Sequence, residues 1–429
     1  MVDSIVRTTT APPRRPDART RPDARTRLAA GAARVLGRRI RSGTVVVVDD
    51  DGEHRLGRGE PTARVTVHDP RAYAAMLRGG SVGLGTAYLE GWWDCDDLTT
   101  LFLILGRAMQ RPMDAADRIA NAIGPVRARR PWRRGVDKAR DRENIRAHYD
   151  LGNEFFELML DETMFYSCAV FESPEQSLAG ASVAKADLLC RKLDLGPADH
   201  VVEIGTGWGG FALHAASRYG CRVTTATISD AQHEHASRRV AEAGLGDLVT
   251  VVNRDYRDLD GVYDKLVSIE MIEAVGWEQL DTFFDTCAAL VKDDGLMGLQ
   301  AIVIEDKSYE RAKRHDDFIR RYVFPGGFLP SVGAITSSIA RRGELRVIDL
   351  EDIGRHYVET LRRWRANLAD NAPAVESLEL GDAFSRMWQM YLCYCEAAFL
   401  DRHVSDVQMV LARPAFRGPR SHGSVRAPA

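Results

Sequence analysis

Residues 201–210, Val-Val-Glu-Ile-Gly-Thr-Gly-Trp-Gly-Gly, constrain this chain more than any other segment. An apolar run long enough for one strand ends in glycines at 205, 207, 209 and 210, and residues 211–219 follow with helical spacing. Strand, glycine turn and helix in that order open a nucleotide-type site in an α/β sheet, because glycine lets backbone approach a ligand closely. The spacing is tighter than the dinucleotide pattern GxGxxG. A tight strand-to-helix turn that holds no ligand is the alternative reading of these residues alone.

The alternation continues downstream. Strands are predicted at 201–204, 222–227, 249–253, 265–269 and 296–304, with helices at 211–218, 231–243 and 277–290 between them. This pattern gives an α/β fold with a parallel sheet and helices on both faces. Ligands of such sheets lie beyond the carboxyl ends of the strands, so the segments just after each strand hold the candidates. The second strand is followed by Thr227-Ile228-Ser229-Asp230-Ala231-Gln232, which lacks the strand-end carboxylate that many nucleotide sites offer to ribose hydroxyls. Arg254-Asp255-Tyr256 follows the third, an acid and an aromatic placed to bracket an adenine ring. The fourth leads into Ser268-Ile269-Glu270-Met271-Ile272-Glu273, whose two carboxylates share one side if the segment makes a helical turn.

A chain of 429 residues with 45% hydrophobic content can bury two cores. Residues 1–42 carry eleven Arg against three Asp, a charge of +8, so the net charge of −3 leaves −11 for the remainder. With its Pro- and Ala-rich make-up and the tandem copy Arg-Pro-Asp-Ala-Arg-Thr at 15–20 and 21–26, segment 1–41 reads as a disordered basic arm. Attraction to anionic lipid and a merely solvated tail are both open for it; nucleic acid is not an expected partner. Residues 42–125 read as a small lipid-associated α+β domain, with strands at 44–48 and 63–67, a helix at 70–77 and a glycine- and aromatic-rich loop over 79–93.

A basic linker is expected over 126–143. Between Arg127 and Arg142 eight basic residues and two acidic ones surround Trp132, which suits either an anionic bilayer surface or an ordinary charged linker. Residues 144–412 form the main domain and 413–429 a flexible tail. No run approaches the ~20 apolar residues of a membrane span. The seven cysteines lack paired metal spacing, so no metal is expected and a reduced, cytoplasmic protein is the simplest fit.

Glu203 and the glycine spacing after it look like the first motif of class I S-adenosylmethionine methyltransferases. Further matches are Arg146-Ala147-His148-Tyr149-Asp150-Leu151-Gly152-Asn153, Met164-Phe165-Tyr166-Ser167-Cys168-Ala169, Arg321-Tyr322-Val323-Phe324-Pro325-Gly326-Gly327 with Leu329-Pro330-Ser331, and Tyr391-Leu392-Cys393-Tyr394-Cys395-Glu396-Ala397-Ala398-Phe399. Together these segments resemble the cyclopropane-fatty-acid synthase family over roughly residues 42–410. The resemblance implies a class I methyltransferase Rossmann-like sheet with helices on both faces, plus a small α+β N-terminal domain. It also implies contacts to S-adenosylmethionine from Tyr149, Tyr166, Ser167, Glu203, Gly205, Thr206, Gly207, Trp208, Gly209, Thr227, Ile228, Ser229, Gln232, Asp255 and Tyr256.

In that family a cis alkene of a lipid acyl chain attacks the sulfonium methyl, leaving a carbocation that a base must quench. Cyclopropane synthases of this type hold bicarbonate as the base, on residues matching Cys168, Glu273, Ile302 and Tyr322. Cys395 is read as a packing residue, because a covalent role is unnecessary when the acyl chain is the nucleophile.

Three departures stand out. Gln300 replaces a usual His, Ala274 stands where Glu-His-Val-Gly is usual, and Glu270 replaces a usual glycine three residues before Glu273. Losing an imidazole weakens an anion site, while Glu270 supplies a fixed carboxylate in bicarbonate's place, with Glu273 its rival as base. A relocated base that takes its proton from a chain carbon, in place of the transferred methyl, is expected to give a methylene branch. Such lipids are precursors of 10-methyl fatty acids, made with a separate reductase.

The alternatives are a cyclopropane synthase in which Gln300 ligates bicarbonate and Glu270 faces solvent or an Arg, a lipid-binding partner with a decayed site, and a methyltransferase for a small soluble acceptor. The expected substrate is an unsaturated phospholipid at the inner face of the membrane, and homo-oligomerisation is left open. A helix over 307–324, with Arg311, Lys313, Arg314, Arg320 and Arg321, reads either as an amphipathic helix that touches lipid headgroups or as an ordinary surface helix.

Overall fold

The structure is a computed structural model that describes residues 30–33, 37, 39–109 and 152–418. Most of the basic arm, the linker 126–143, His148, Tyr149 and residues 419–429 lie outside the described residues. Two compact units are formed, and neither is contiguous in sequence. One draws on the described parts of Met1–Arg133, Arg314–Pro325 and Asn371–His403, the other on those of Arg134–Lys313, Gly326–Asp370 and Val404–Ala429.

The first unit contains strands β1 (Gly43–Asp49), β2 (Gly52–Arg58), β3 (Thr62–Val67) and β4 (Trp93–Cys95) in the order β2-β1-β3-β4. β1 pairs antiparallel with β2 and parallel with β3. Its buried run Val45-Val46-Val47 is what a central strand requires. The helix Arg71–Leu89 corrects the expected loop: the glycine-rich stretch is largely helical and bends only at Gly80 (φ 53°). Two of its glycines, Gly83 and Gly85, serve close packing. A Cβ at Gly83 would lie 2.0 Å from the Ala75 carbonyl oxygen, and one at Gly85 would lie 2.3 Å from the Phe318 ring. The helix Asp382–Leu400 belongs to the same unit, where Arg386 donates to the Tyr88 and Trp93 carbonyls and to Asp94.

The second unit holds β5 (His200–Ile204), β6 (Arg222–Thr227), β7 (Val249–Asn253), β8 (Tyr263–Ile269), β9 (Val291–Ile304), β10 (Arg346–Asp352) and β11 (Val404–Ala412), ordered β10-β11-β9-β8-β5-β6-β7. The five strands from β9 to β7 are parallel, as expected; β11 runs antiparallel to β9, and β10 antiparallel to β11. The sheet is therefore mixed rather than wholly parallel.

Alternation along each strand sends side chains to two apolar layers. On one face Val202, Leu266, Met297 and Leu299 pack with the helices Leu280–Leu290 and Val332–Arg342. On the other, Val201, Val223 and Val267 pack with the helices Leu178–Lys192 and Gly210–Tyr219. Each such buried aliphatic side chain contributes about 1.5–3 kcal/mol. Ser177, Ser229 and Ser331 cap the helices that follow them by accepting from backbone N–H groups.

The helix expected over 307–324 is not one helix: Asp306–Ala312 ends before His315, and a separate wide turn spans Ile319–Val323. No helix among the described residues is long and apolar enough to cross a membrane.

Candidate active site

The loop after β5 shows why its glycines are there. Gly205, Gly207 and Gly209 have φ of 100°, 53° and 88°, a region that side chains disfavour. A Cβ at Gly210 would stand 2.9 Å from the Thr163 carbonyl oxygen and 3.1 Å from the Phe165 ring, whereas one at Gly207 would enter open space. The turn is thus packed hard on one side and bare on the other, which fits a cofactor laid along its backbone.

Beneath the turn, Glu203 is 2% exposed and accepts a 2.6 Å hydrogen bond from the Thr225 hydroxyl, itself 2.7 Å from the Thr206 hydroxyl. Burial pushes the Glu203 carboxyl up to about 8, against the pull of Thr225 and of the Lys185 charge.

The other predicted cofactor residues frame this turn. Trp208 donates through its indole to Asn153 at 2.9 Å, and the Tyr166 ring packs between Phe156 and Trp364. Ser167 is buried and accepts from the Lys185 ammonium at 2.9 Å. Past β6, Thr227 bonds the Gln232 side chain at 2.8 Å while Ser229 caps the next helix, and Ile228 lies between them. After β7 the buried Asp255 carboxylate is held in two bonds by Arg257, and Tyr256 stands edge-on to Phe283.

A second polar cluster lies where β8, β9 and β11 meet. Glu270 follows β8 with φ 48°, a conformation that suits the glycine usual there and strains a glutamate by roughly 1–2 kcal/mol. Its amide bonds the Gln300 carbonyl at 2.8 Å. The Glu270 carboxylate has donors on both oxygens: Oε1 accepts the Cys168 N–H at 2.7 Å and the Gln300 amide at 2.8 Å, and Oε2 accepts the Tyr357 hydroxyl at 2.7 Å. Register places Gln408 opposite Gln300 and Asp406 opposite Ile302, so these four side chains share one face. Gln300 donates also to Asp406 at 2.9 Å and accepts from Gln408 at 3.1 Å.

Glu273 accepts the Ile302 N–H on Oε1 at 2.6 Å, and its buried Oε2 has no partner among the described residues. Burial, then the nearby Glu270 charge, pushes the Glu273 carboxyl up to about 8. The Cys168 thiol is wholly buried and raised far above its ordinary range, so Cys168 acts here through its backbone N–H.

Glu270, Glu273, Cys168, Gln300 and Ile302 are therefore brought together. Tyr322 and Cys395 belong to the other unit. There the Tyr322 hydroxyl lies 2.6 Å from that of Thr86, and burial with the Asp317 charge raises the Cys395 thiol, which disfavours it as a nucleophile. The donors match bicarbonate poorly, since the Cys168 and Ile302 N–H groups and the Gln300 amide already face carboxylates of the chain itself.

Lys185, Tyr357, Asp406 and Gln408 escaped the sequence reading. A signal existed for two of them: in Val404-Ser405-Asp406-Val407-Gln408-Met409, polar residues two apart interrupt an apolar strand and mark one inward polar face.

Residues 136–409 match the family described as mycolic acid cyclopropane synthetase. The chain is 36% identical over 401 residues to tuberculostearic acid methyltransferase UfaA1 of Mycobacterium tuberculosis, covering 90% of this chain and 92% of that one. It is 34% identical over 393 residues to the cyclopropane-fatty-acyl-phospholipid synthase of Escherichia coli, covering 87% and 97%. Among solved structures, mycolic acid cyclopropane synthase CmaA1 complexed with SAH and CTAB superposes with a TM-score of 0.59 at 30% identity, covering 63% of this chain and 98% of that one. A mixed α/β sheet with a bare glycine turn, joined to these likenesses, places the chain in the mycolic acid cyclopropane synthetase family of S-adenosylmethionine-dependent methyltransferases acting on fatty acyl chains.

Proposed function

We propose that this enzyme methylates the cis double bond of an unsaturated fatty acyl chain in a membrane phospholipid and gives a 10-methylene-type branch, with Glu270 as the base. The observation that carries the reading is the seat of Glu270. Its carboxylate rests on the Cys168 N–H and the Gln300 amide, positions at which family resemblance would seat bicarbonate. The strained backbone at Glu270 supports the same reading, because a glutamate held in a glycine conformation needs compensation from its side chain. The likeness to a tuberculostearic acid methyltransferase over 90% of the chain agrees with it.

Atom balance corrects one expectation about the proton. S-adenosylmethionine supplies an electrophilic methyl: the alkene π pair forms the new carbon–carbon bond, and the old carbon–sulfur pair stays on sulfur. The cation then rests on the neighbouring chain carbon. A hydride shift from the methylated carbon moves the cation onto that carbon, and loss of a methyl proton to Glu270 leaves an exocyclic C=CH2. Without the shift, loss of a methyl proton with bond closure gives a ring. Both products thus surrender a proton of the transferred methyl, not of a chain carbon, and they differ in whether hydride migrates first. Saturation of the methylene group to a methyl branch then requires a separate reductase.

Incubation with S-adenosylmethionine and oleoyl-phospholipid liposomes, followed by proton NMR of the released fatty acids, tests the proposal. Vinylidene protons are expected; upfield cyclopropyl protons would make the enzyme a cyclopropane synthase. The variant Glu270→Gln should lose turnover by ~100-fold or more while binding S-adenosylhomocysteine normally. Normal turnover in that variant would remove Glu270 as base.

A further inference from the structure

We propose that Asp406 is a positioning residue: a neutral carboxylic acid that donates to the Glu270 carboxylate, so that the two carboxyls hold one proton between them. The inference deepens the reading of Glu270 as base and rests on it for its catalytic meaning.

The geometry is unequal in a telling way. Asp406 is 0% exposed, and one amide nitrogen, Gln300 Nε2, bonds both its Oδ2, at 2.9 Å, and Glu270 Oε1, at 2.8 Å. Two carboxyls on one amide sit too close to carry two negative charges in a dry place. Glu270 has donors on both oxygens, from Cys168, Gln300 and Tyr357. Among the described residues Asp406 takes the shared amide on Oδ2, its buried Oδ1 accepts from no N–H or O–H group, and no Lys, Arg or His pairs with it. The charge therefore settles on Glu270 and the proton on Asp406.

Other titratable groups facing the pair are Glu273 and the Cys168 thiol, the Tyr357 hydroxyl, and the Lys185 ammonium from the helix Leu178–Lys192, whose own bond goes to Ser167. Consistently, the Asp406 carboxyl is raised far above the carboxylate range, by burial first, then by the Glu270 charge and by the hydrogen bond to Glu270. A proton held on Asp406 keeps Glu270 as the single anion of the pair and fixes the direction its carboxylate faces.

The full-length enzyme, labelled with 13C at the aspartate side-chain carboxyl, can be followed by carbon NMR from about pH 6 to 9. One resonance should stay at the position of a protonated acid at neutral pH and be missing from Asp406→Asn. Should that variant fail to bind S-adenosylhomocysteine, Asp406→Glu serves to assign the signal. An ionised Asp406 at neutral pH overturns the proposal.

Kinetics add a second arm. Asn mimics the neutral acid as donor and acceptor, so Asp406→Asn should keep turnover within about threefold, whereas Asp406→Ala should lose ~10-fold or more with an unchanged KM for S-adenosylmethionine. Equal losses in the two variants overturn the positioning role. Failure of the Glu270 reading is distinguishable, because turnover in Glu270→Gln reports on the base while the carbon resonance reports on Asp406 alone.

Discussion

The two ends of the site are built differently. The cofactor end comes from one continuous stretch, β5 and the turn behind it, whose glycines hold conformations that sequence dictates locally. The other end, the carboxyl–amide cluster around Glu270, comes from the end of β8, the middle of β9, the loop at Cys168, the helix Gly354–Asp370 and β11, which meet only after the sheet has formed. Backbone shape makes the first. The second is made by side chains, a network of carboxyls and amides sealed from water, where one missing partner leaves buried groups unsatisfied. Binding and chemistry should therefore fail separately when each end is damaged.

The largest effect is expected at the cofactor end. In Gly210→Val the new side chain collides with the Thr163 carbonyl and the Phe165 ring, so affinity for S-adenosylhomocysteine should fall by ~100-fold or more in calorimetry. Undiminished binding would mean that the turn does not seat the cofactor. Next in size, Gln300→Leu removes the amide shared by Glu270 and Asp406. Turnover should drop by ~10- to 100-fold with S-adenosylhomocysteine affinity intact. Loss of both together would show that the two ends are one cooperative unit.

The smallest effect concerns pH. Glu203 is raised in the folded state to about 8, so its neutral form favours the fold; that contribution is full below its unfolded value and is lost as pH rises through about 8. Thermal melting should therefore fall less steeply between about pH 5 and 8 in Glu203→Gln than in the parent enzyme. An identical slope would show that Glu203 is not the group buried in neutral form.

Legibility followed the same division. Every strand from β5 to β9 was readable, because apolar runs bounded by glycine or polar turns carry their own signal, and the cofactor turn with them. β10 and β11 were missed: β10 mixes charged and apolar residues along the sheet edge, and nothing local announces that β11 pairs with β9. Glu270, Gln300 and Glu273 stand out through departures from, and agreement with, a family pattern; Asp406 and Tyr357 join their cluster through tertiary contacts alone. Gly83 and Gly85 of the helix Arg71–Leu89 misled, since a missing Cβ serves tight packing as readily as it serves a turn.

The place of β11 sets an order of events during synthesis. Until residues 404–412 leave the ribosome, β9 has β8 on one side and an open edge on the other, although the glycine turn was made long before. A nascent chain could thus shape its glycine turn early, yet its acid–amide network lacks Asp406 and Gln408 until the closing strand slots in beside β9. The last strand of the sheet brings Asp406 and Gln408 to Gln300, so a chain stalled or clipped before it would keep its glycine turn and lack those two groups.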